Sequence, residues 1–141
     1  MKYIVNSLEE TKILAQKFAS SLKKGDVVLL NGDLGAGKTT FTQYVFKALG
    51  VNEVVNSPTF AILKTYKGKF VLHHFDTYRI SLEEAIEAGF DEILSNRDAV
   101  IFVEWSDNIR ALLPDRNIIV NIKRLDDTQR EFEIIDEKID N

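Results

Sequence analysis

The stretch VVLLNGDLGAGKT, residues 27–39, decides the fold of this chain. Its last eight residues, Gly32 to Thr39, match the pattern G-x-x-x-x-G-K-[ST], and the four residues before Asn31 are all apolar. A short, continuous apolar run is typical of a strand that is buried on both faces of an α/β sheet. A loop of this pattern between such a strand and a helix is typical of proteins that bind phosphate groups.

The residue types of the loop suit an anion. Glycine reaches backbone angles that a Cβ forbids, so successive N–H groups can turn inward around phosphate oxygens, and the following helix directs its own unpaired N–H groups at them. Lys38 is expected to reach the β- and γ-phosphates, Thr39 to place its hydroxyl on Mg²⁺, and Thr40 to contact the α-phosphate. A turn that merely joins a strand to a helix would not need this order of residues, so the loop predicts bound Mg-ATP. The residues expected to contact the nucleotide here are Gly35, Ala36, Gly37, Lys38, Thr39 and Thr40.

Strands and helices are expected to alternate along the rest of the chain. Ser7 with Glu10, and Ser81 with Glu84, form capping-box patterns that mark helix starts. Helices are predicted over residues 8–24, 39–49 and 82–88, and strands over residues 1–5, 27–30, 60–66, 70–76, 99–103, 118–123 and 130–135. The fold class that follows is α/β, a three-layer P-loop NTPase-like sandwich with a mixed, largely parallel central sheet. The length of 141 residues predicts one domain.

Composition narrows the class of partner. Acidic residues outnumber basic ones, 22 against 18, for a net charge of −4, whereas proteins that bind nucleic acid through its phosphates usually present a basic face. The balance therefore favours a protein partner over direct contact with tRNA or DNA. No apolar run is long enough to span a membrane and there is no cysteine, so a cytoplasmic location is the default expectation. With two histidines and no cysteine, a zinc site is disfavoured.

Two acidic residues are candidates to complete the site. Asp76 and Glu104 each end a predicted strand, where the carboxyl ends of neighbouring parallel strands bring side chains together. Either one can hold Mg²⁺, directly or through water, while the other orients the attacking water. The residues alone do not decide between them.

Other residues near these acids allow two interpretations each. Thr59, in Ser57-Pro58-Thr59-Phe60, can sense the γ-phosphate or simply begin a strand, and Trp105 can cover the site or only pack. Of His73 and His74, which point to opposite faces of a strand, one is expected to pack against a helix as a hydrogen-bonded, inert residue.

These motifs together resemble the TsaE (YjeE) family of P-loop ATPases, which act in bacterial tRNA threonylcarbamoyladenosine synthesis. The resemblance covers nearly the whole chain, in the family's order. It is carried by Gly32-Asp33-Leu34-Gly35-Ala36-Gly37-Lys38-Thr39-Thr40-Phe41, Ser57-Pro58-Thr59-Phe60, His74-Phe75-Asp76-Thr77-Tyr78-Arg79 and Val103-Glu104-Trp105.

The resemblance implies roles for single residues. Thr39 and Glu104 act at the metal, and Asp76 lies near the same magnesium shell. Thr59 belongs to a switch loop and Trp105 affects hydrolysis. The adenine lies near the segment from Val5 to Ser7, and Arg130 is a basic position that approaches the nucleotide.

The resemblance also implies an activity and partners. The chain is expected to hydrolyse ATP weakly alone and faster with TsaB and TsaD, whose heterodimer it resets between turnovers, with tRNA involved only indirectly. A small-molecule P-loop kinase is the main alternative, although its usual arginine-rich lid has no counterpart among the 6 dispersed arginines. A nucleotide-sensing module that hardly hydrolyses is a third interpretation.

Overall fold

The computed structural model describes residues 1–33, 35–56, 62–115 and 117–136. Within these residues, seven strands form one sheet in the order β1-β7-β6-β2-β5-β4-β3. The strands are β1 (Lys2–Val5), β2 (Val27–Asn31), β3 (Leu63–Lys67), β4 (Val71–Asp76), β5 (Ala99–Glu104), β6 (Ile118–Arg124) and β7 (Arg130–Asp136). The helices are α1 (Leu8–Ser21), α2 (Lys38–Ala48), α3 (Leu82–Glu87), α4 (Phe90–Leu94) and a kinked 3₁₀ segment, Ser106–Leu112.

The sheet is mixed, with a parallel centre. β2 pairs in parallel with β5 and β6, and β5 with β4, while the flanking pairs β1–β7, β6–β7 and β3–β4 are antiparallel. The central strands β2 and β5 are buried almost throughout, as their continuous apolar runs predict. The α/β fold with a mixed sheet is confirmed.

Helices cover both faces of the sheet. On one face, α1 and α2 pack through Phe18, Phe41 and Phe46 against Phe102 of β5. On the other face, α3, α4 and the 3₁₀ segment bury a second apolar cluster that includes Phe75 and Phe90. The site lies on the α2 face, at the carboxyl ends of the parallel strands.

Several predicted boundaries were wrong by a few residues. α1 ends at Ser21 rather than near Lys24, because Leu22 adopts an extended conformation that buries its side chain and the carboxylate of Asp26 accepts from the Lys23 N–H at 2.8 Å. β4 begins one residue later than predicted. The turn between β3 and β4 extends to Phe70, because the Gly68 N–H donates to the Phe70 carbonyl at 3.0 Å.

Other differences concern short elements. β3 begins at Leu63, and residues 60 and 61 of the predicted strand lie outside the described residues. α4 and the 3₁₀ segment were not predicted, because segments of five and seven residues are too short to show a helical period. The remaining elements differ from prediction by about one residue at an end, which is the usual precision of a boundary.

The two capping patterns have different outcomes. At α3 the full box forms: the Ser81 hydroxyl accepts from the Glu84 N–H, and the Glu84 carboxylate accepts from the Ser81 N–H. At α1 the Ser7 hydroxyl accepts from the Glu10 N–H as predicted, but the Glu10 carboxylate accepts from the N–H of Asn6 instead of Ser7. Among the described residues, no helix has both the length and the apolar character needed to cross a membrane.

Candidate functional site

The glycine loop connects the end of the buried strand β2 to α2. Gly35 and Gly37 adopt φ angles of +80° and +109°, a region that favours glycine, and a Cβ built on either residue meets no atom within 4 Å. Gly32 is glycine for another reason, because a Cβ there would lie 2.7 Å from the Ile122 carbonyl oxygen of β6. The loop is thus fixed against the sheet at its start and faces open space at its end.

The N-terminus of α2 presents unpaired N–H groups to that space. Gly37 caps the helix without a side-chain hydrogen bond, and the Phe41 N–H donates to the Gly37 carbonyl at 3.0 Å. The N–H groups of Lys38, Thr39 and Thr40 precede this bond, so they have no partner inside the helix. Such a terminus attracts anions through its N–H groups and its dipole.

Both candidate carboxylates lie at the same end of the sheet. β4 and β5 are parallel neighbours, and their register pairs Asp76 with Glu104. Because side chains alternate along a strand, Asp76 lies on the same face of β4 as Leu72 and His74, the face covered by α2. Glu104 is buried, whereas Asp76 is half-buried. The predicted convergence of the two acids on the loop is what the structure shows.

The ammonium group of Lys38 lies between the loop and the acids. Its Nζ donates to the Gly32 carbonyl at 2.6 Å, lies 3.9 Å from Oε1 of Glu104 and is 4.2 Å from the ring centroid of Trp105. An aromatic face and a carboxylate both stabilise a buried cation. Lys38 is therefore held in a fixed orientation although its side chain is almost fully buried.

His74 makes a contact with a candidate site residue that the sequence did not predict. Its ring is fully buried against Phe46 of α2, as expected of one of the two histidines, but its Nε2 lies 2.8 Å from Oε2 of Glu104. His74 therefore packs against the helix and is hydrogen-bonded, as predicted, and its partner is Glu104. The sequence feature that could have predicted this contact is the position of His74 two residues before Asp76, on the same face of the strand.

Thr77 and Asn108 shape the segment that follows β5. The Thr77 hydroxyl donates to the carbonyl oxygens of Glu104 and Trp105, at 3.0 and 2.7 Å, and the Asn108 amide donates to those of Thr77 and Tyr78. Trp105 has φ +59° and ψ +47°, a left-handed conformation that costs energy in a non-glycine residue. These bonds keep its ring between Lys38 and Tyr78, whose ring centroid lies 4.9 Å away.

Burial and neighbouring charges act against each other on the carboxyl group of Asp76. Desolvation raises the pKa of Asp76 above its ordinary value, and the negative charge of Glu104 adds to this rise. The N–H of Tyr78, donating at 3.2 Å, and the neighbouring His74 and Lys38 oppose it. The protein compensates the negative charge of the Asp76 carboxylate only in part. A nearby cation therefore stabilises this carboxylate more than it would stabilise a solvent-exposed one.

Arg130 contacts the glycine loop itself. Its Nε donates to the Ala36 carbonyl at 3.1 Å, and its Nη1 donates to the carbonyls of Asp126 and Gln129. The turn between β6 and β7 is thereby tied to the loop. The Ser7 hydroxyl is occupied as the cap of α1, so its hydrogen-bonding capacity toward a ligand is reduced.

One pocket of about 740 Å³ brings the predicted residues together. Among its lining residues are Ser7, Gly35, Ala36, Gly37, Lys38, Thr39, Thr40, Asp76, Glu104, Trp105 and Arg130, together with Asn6 from the predicted Val5-to-Ser7 segment. The unpredicted lining residues are Leu8, Thr11, Asp127, Thr128 and Phe132. Thr59 lies outside the described residues. Within the parts of the chain that the structure describes, no group of three or more His, Asp or Glu side chains is placed to hold a metal by itself.

The fold and the site together define an α/β protein with a phosphate-loop motif between a central parallel strand and a helix. A family model described as "Threonylcarbamoyl adenosine biosynthesis protein TsaE" matches residues 5–132. The chain belongs to the TsaE family.

Individual relatives agree with this assignment. The chain is 48% identical to the tRNA threonylcarbamoyladenosine biosynthesis protein TsaE of Rickettsia conorii over 136 residues, covering 94% of this chain and 77% of that protein. Identity to the protein of the same name from Bacillus subtilis is 43% over 133 residues, covering 94% and 83%. The crystal structure of Bacillus subtilis YdiB superposes with a TM-score of 0.79 at 39% identity, covering 94% of this chain and 82% of that one.

Proposed function

We propose that this chain binds Mg-ATP on the loop from Gly32 to Thr39 and hydrolyses it to ADP and phosphate. The reaction serves tRNA threonylcarbamoyladenosine biosynthesis, the process named in the family description. The observation that carries the proposal is the convergence of the α2 N-terminus, Lys38 and the two carboxylates on one pocket of about 740 Å³. This volume lies within the range of small-molecule and cofactor sites.

The residues of the loop fit a triphosphate. The unpaired N–H groups at the start of α2 are donors that an anion can satisfy, and the space beside Gly35 and Gly37 is free of atoms that would exclude it. Lys38 supplies a positive charge whose position is already set by the Gly32 carbonyl and the Trp105 ring. The Gly35-to-Thr40 segment would hold the phosphates, with the adenosine toward Ser7 and the turn that carries Arg130.

The residues also fit magnesium, as a site completed by the nucleotide. Mg²⁺ takes oxygen ligands, keeps several waters and is usually bound by one or two carboxylates together with substrate phosphates. Thr39, Asp76 and Glu104 line the pocket and supply such oxygens. The metal would neutralise charge on the phosphates, and the carboxylate that does not bind it directly would orient the attacking water.

Turnover by the chain alone is expected to be slow. Arg130, an arginine that lines the pocket, is bonded to the loop carbonyl of Ala36 and to its own turn, so it is not placed to stabilise the transferred phosphoryl group. P-loop proteins without such an arginine turn over at roughly 10⁻⁴ to 10⁻² s⁻¹. We infer that TsaB and TsaD form the partner heterodimer that accelerates hydrolysis and is reset by it, with tRNA involved only through them.

Substitution of Lys38 tests the binding site. Lys38→Ala should weaken Mg-ATP binding by about tenfold or more, because a charge-assisted hydrogen bond contributes roughly 1.5–3 kcal/mol. Lys47→Ala is the matched control, since Lys47 is exposed in the last turn of the same helix. Calorimetry measures affinity, and phosphate release with and without TsaB and TsaD measures turnover. Unchanged affinity in Lys38→Ala would remove the loop from the mechanism, and equal rates with and without the partners would exclude partner-gated hydrolysis.

A small-molecule kinase is the alternative function for the same pocket. A kinase needs an acceptor and excludes water, whereas an ATPase releases phosphate with no acceptor present. Stoichiometric phosphate release from ATP in buffer alone supports the ATPase. Transfer of labelled phosphate to an added metabolite, with little release in its absence, supports the kinase.

A further inference from the structure

His74 is the buried polar group of the site to which hydrolysis assigns no task. Its imidazole is fully buried, and its Nε2 lies 2.8 Å from Oε2 of Glu104, a residue 30 positions away in the chain. Its other nitrogen, Nδ1, is buried and has no hydrogen-bond partner in the part of the chain that the structure describes. The two nitrogens therefore have very different environments.

These environments select one tautomer of the ring. A hydrogen on Nδ1 would be a buried donor without an acceptor, which costs free energy, whereas a bare Nδ1 leaves only an unpartnered lone pair. The carboxylate of Glu104 accepts hydrogen bonds, so a hydrogen on Nε2 is satisfied. The neutral ring with its hydrogen on Nε2 is the form that leaves no N–H group unpaired.

We propose that His74 is a positioning residue that holds one oxygen of Glu104 and so turns the other toward Lys38 and the pocket. The inference rests on the proposed function, because the orientation of Glu104 matters for catalysis only if the pocket binds Mg-ATP. The bond from Nε2 keeps Oε2 of Glu104 in place, and Oε1 is then the oxygen that lies 3.9 Å from Nζ of Lys38.

The bond also limits how closely Glu104 approaches Lys38. A direct charge-assisted bond between an ammonium and a carboxylate is about 2.7–2.9 Å long, shorter than the 3.9 Å observed, and the short bond of Lys38 is made instead to the Gly32 carbonyl. Without His74, the buried carboxylate would lose its short partner and move onto the ammonium. Lys38 would then be less available to phosphate.

The packing around the ring makes this arrangement rigid. Phe46 of α2 contacts the imidazole edge-to-face at a centroid distance of 6.0 Å, and it also packs on Phe102, the residue paired with His74 in the neighbouring strand. The helix that begins at the phosphate loop therefore holds the ring that orients Glu104. A rigid supporting group of this kind is what a precisely oriented carboxylate requires.

Nitrogen NMR of the protein without nucleotide tests the tautomer directly. The chain contains two histidines, so a ¹⁵N spectrum has two imidazoles, and His73→Asn identifies the remaining one. We expect His74 to carry its hydrogen on Nε2, to exchange it slowly with water, and to show a shifted Nε2 proton in Glu104→Gln. A hydrogen on Nδ1, or rapid averaging between tautomers, would overturn the proposal. This measurement needs no ATP, so its failure is distinct from failure of the proposed function.

Two substitutions test the effect on the site. His74→Leu fills the apolar space without a donor, and His74→Gln keeps an amide N–H that can reach the carboxylate. We expect hydrolysis to fall about 10- to 100-fold in His74→Leu, as for other groups that orient a metal-site carboxylate, and to recover substantially in His74→Gln. Phe90→Leu is the control for packing, because Phe90 lies in the apolar cluster on the opposite face of the sheet, away from His74. Its melting temperature should fall while its turnover stays within a few-fold of the wild type. Equal turnover in His74→Leu and His74→Gln, or losses that follow melting temperature across all three variants, would contradict a positioning role.

Discussion

Among single residues, Asp76 is a proposed magnesium-site group whose ionised carboxylate destabilises the fold through its burial. Its pKa is raised in the folded chain by burial first and by Glu104 further, so the folded state binds its proton more tightly than the unfolded state does. The unfavourable contribution is therefore fully present above the raised pKa, and it disappears as pH falls through that value toward the unfolded one. The contribution of the Asp76 carboxyl group to the free energy of unfolding therefore decreases as pH rises.

The substitution Asp76→Asn should therefore stabilise the protein without nucleotide. The amide oxygen still accepts from the Tyr78 N–H, while the buried charge is removed. We expect the melting temperature at pH 7 to rise by roughly 1–4 °C and the gain to shrink as pH is lowered, while Mg-dependent hydrolysis falls about tenfold or more. Asp107→Asn is the control, because Asp107 is an exposed acid at the same end of the sheet. A lower melting temperature at pH 7 in Asp76→Asn than in the wild type would show that burial does not dominate its environment.

Among the elements of the fold, the turn between β6 and β7 is hydrogen-bonded to the phosphate loop through Arg130. Arg130 reaches the Ala36 carbonyl from 94 residues away and also bonds two carbonyls of its own turn, so the loop and the turn share one side chain. The turn is itself well ordered locally, since Oδ1 of Asp126 accepts from the N–H groups of Thr128 and Gln129. Arg130 is therefore expected to act on the nucleotide through the loop as well as from the pocket wall.

A conservative change at Arg130 tests the hydrogen bonds of its guanidinium group separately from its positive charge. Arg130→Lys keeps the charge but cannot reproduce several N–H donors in a fixed plane, so the loop should lose its tether and Mg-ATP affinity should fall about tenfold. Arg124→Lys is the matched control, because Arg124 lies across the same turn and pairs with Asp127 at the surface. Calorimetric affinities for the two variants test this. Equal affinity in both variants would mean that the tether to Ala36 contributes nothing to binding.

The pocket connects, at the scale of the whole molecule, segments that are far apart in sequence. Its walls come from the start of α1, the phosphate loop, the ends of β4 and β5 and the β6–β7 turn. A ligand that bridges these segments binds only the folded chain, so it must stabilise the fold as a whole. The proposed nucleotide is therefore expected to raise the global stability of the chain when it binds.

Thermal unfolding with nucleotide measures this coupling. At about 100 times its dissociation constant, a ligand adds roughly 2.7 kcal/mol to the free energy of unfolding, and this corresponds to a rise in melting temperature on the order of 5–10 °C for a chain of this size. We expect this rise with Mg-ATP and with Mg-ADP, and a much smaller one at the same concentrations in Lys38→Ala. An identical rise in Lys38→Ala would place the stabilising site elsewhere on the molecule.

Features that depend on local chemistry were predictable from the amino-acid sequence. The glycine loop, the buried strands β2 and β5, the helix caps and the placement of Asp76 and Glu104 at strand ends follow from apolar runs, periodicity and the angles available to glycine. Short helices such as α4 escaped prediction because tertiary packing, rather than a period of their own, stabilises them.

The contacts between distant groups depend on the three-dimensional arrangement of the strands. The strand order places β5 between β2 and β4, which brings Glu104 to Lys38 on one side and to His74 on the other. The same order places the β6–β7 turn over the loop, where Arg130 finds Ala36. No local pattern encodes these pairs, because they arise from the register of strands far apart in sequence, and that register is set by burial of the whole sheet between its helices.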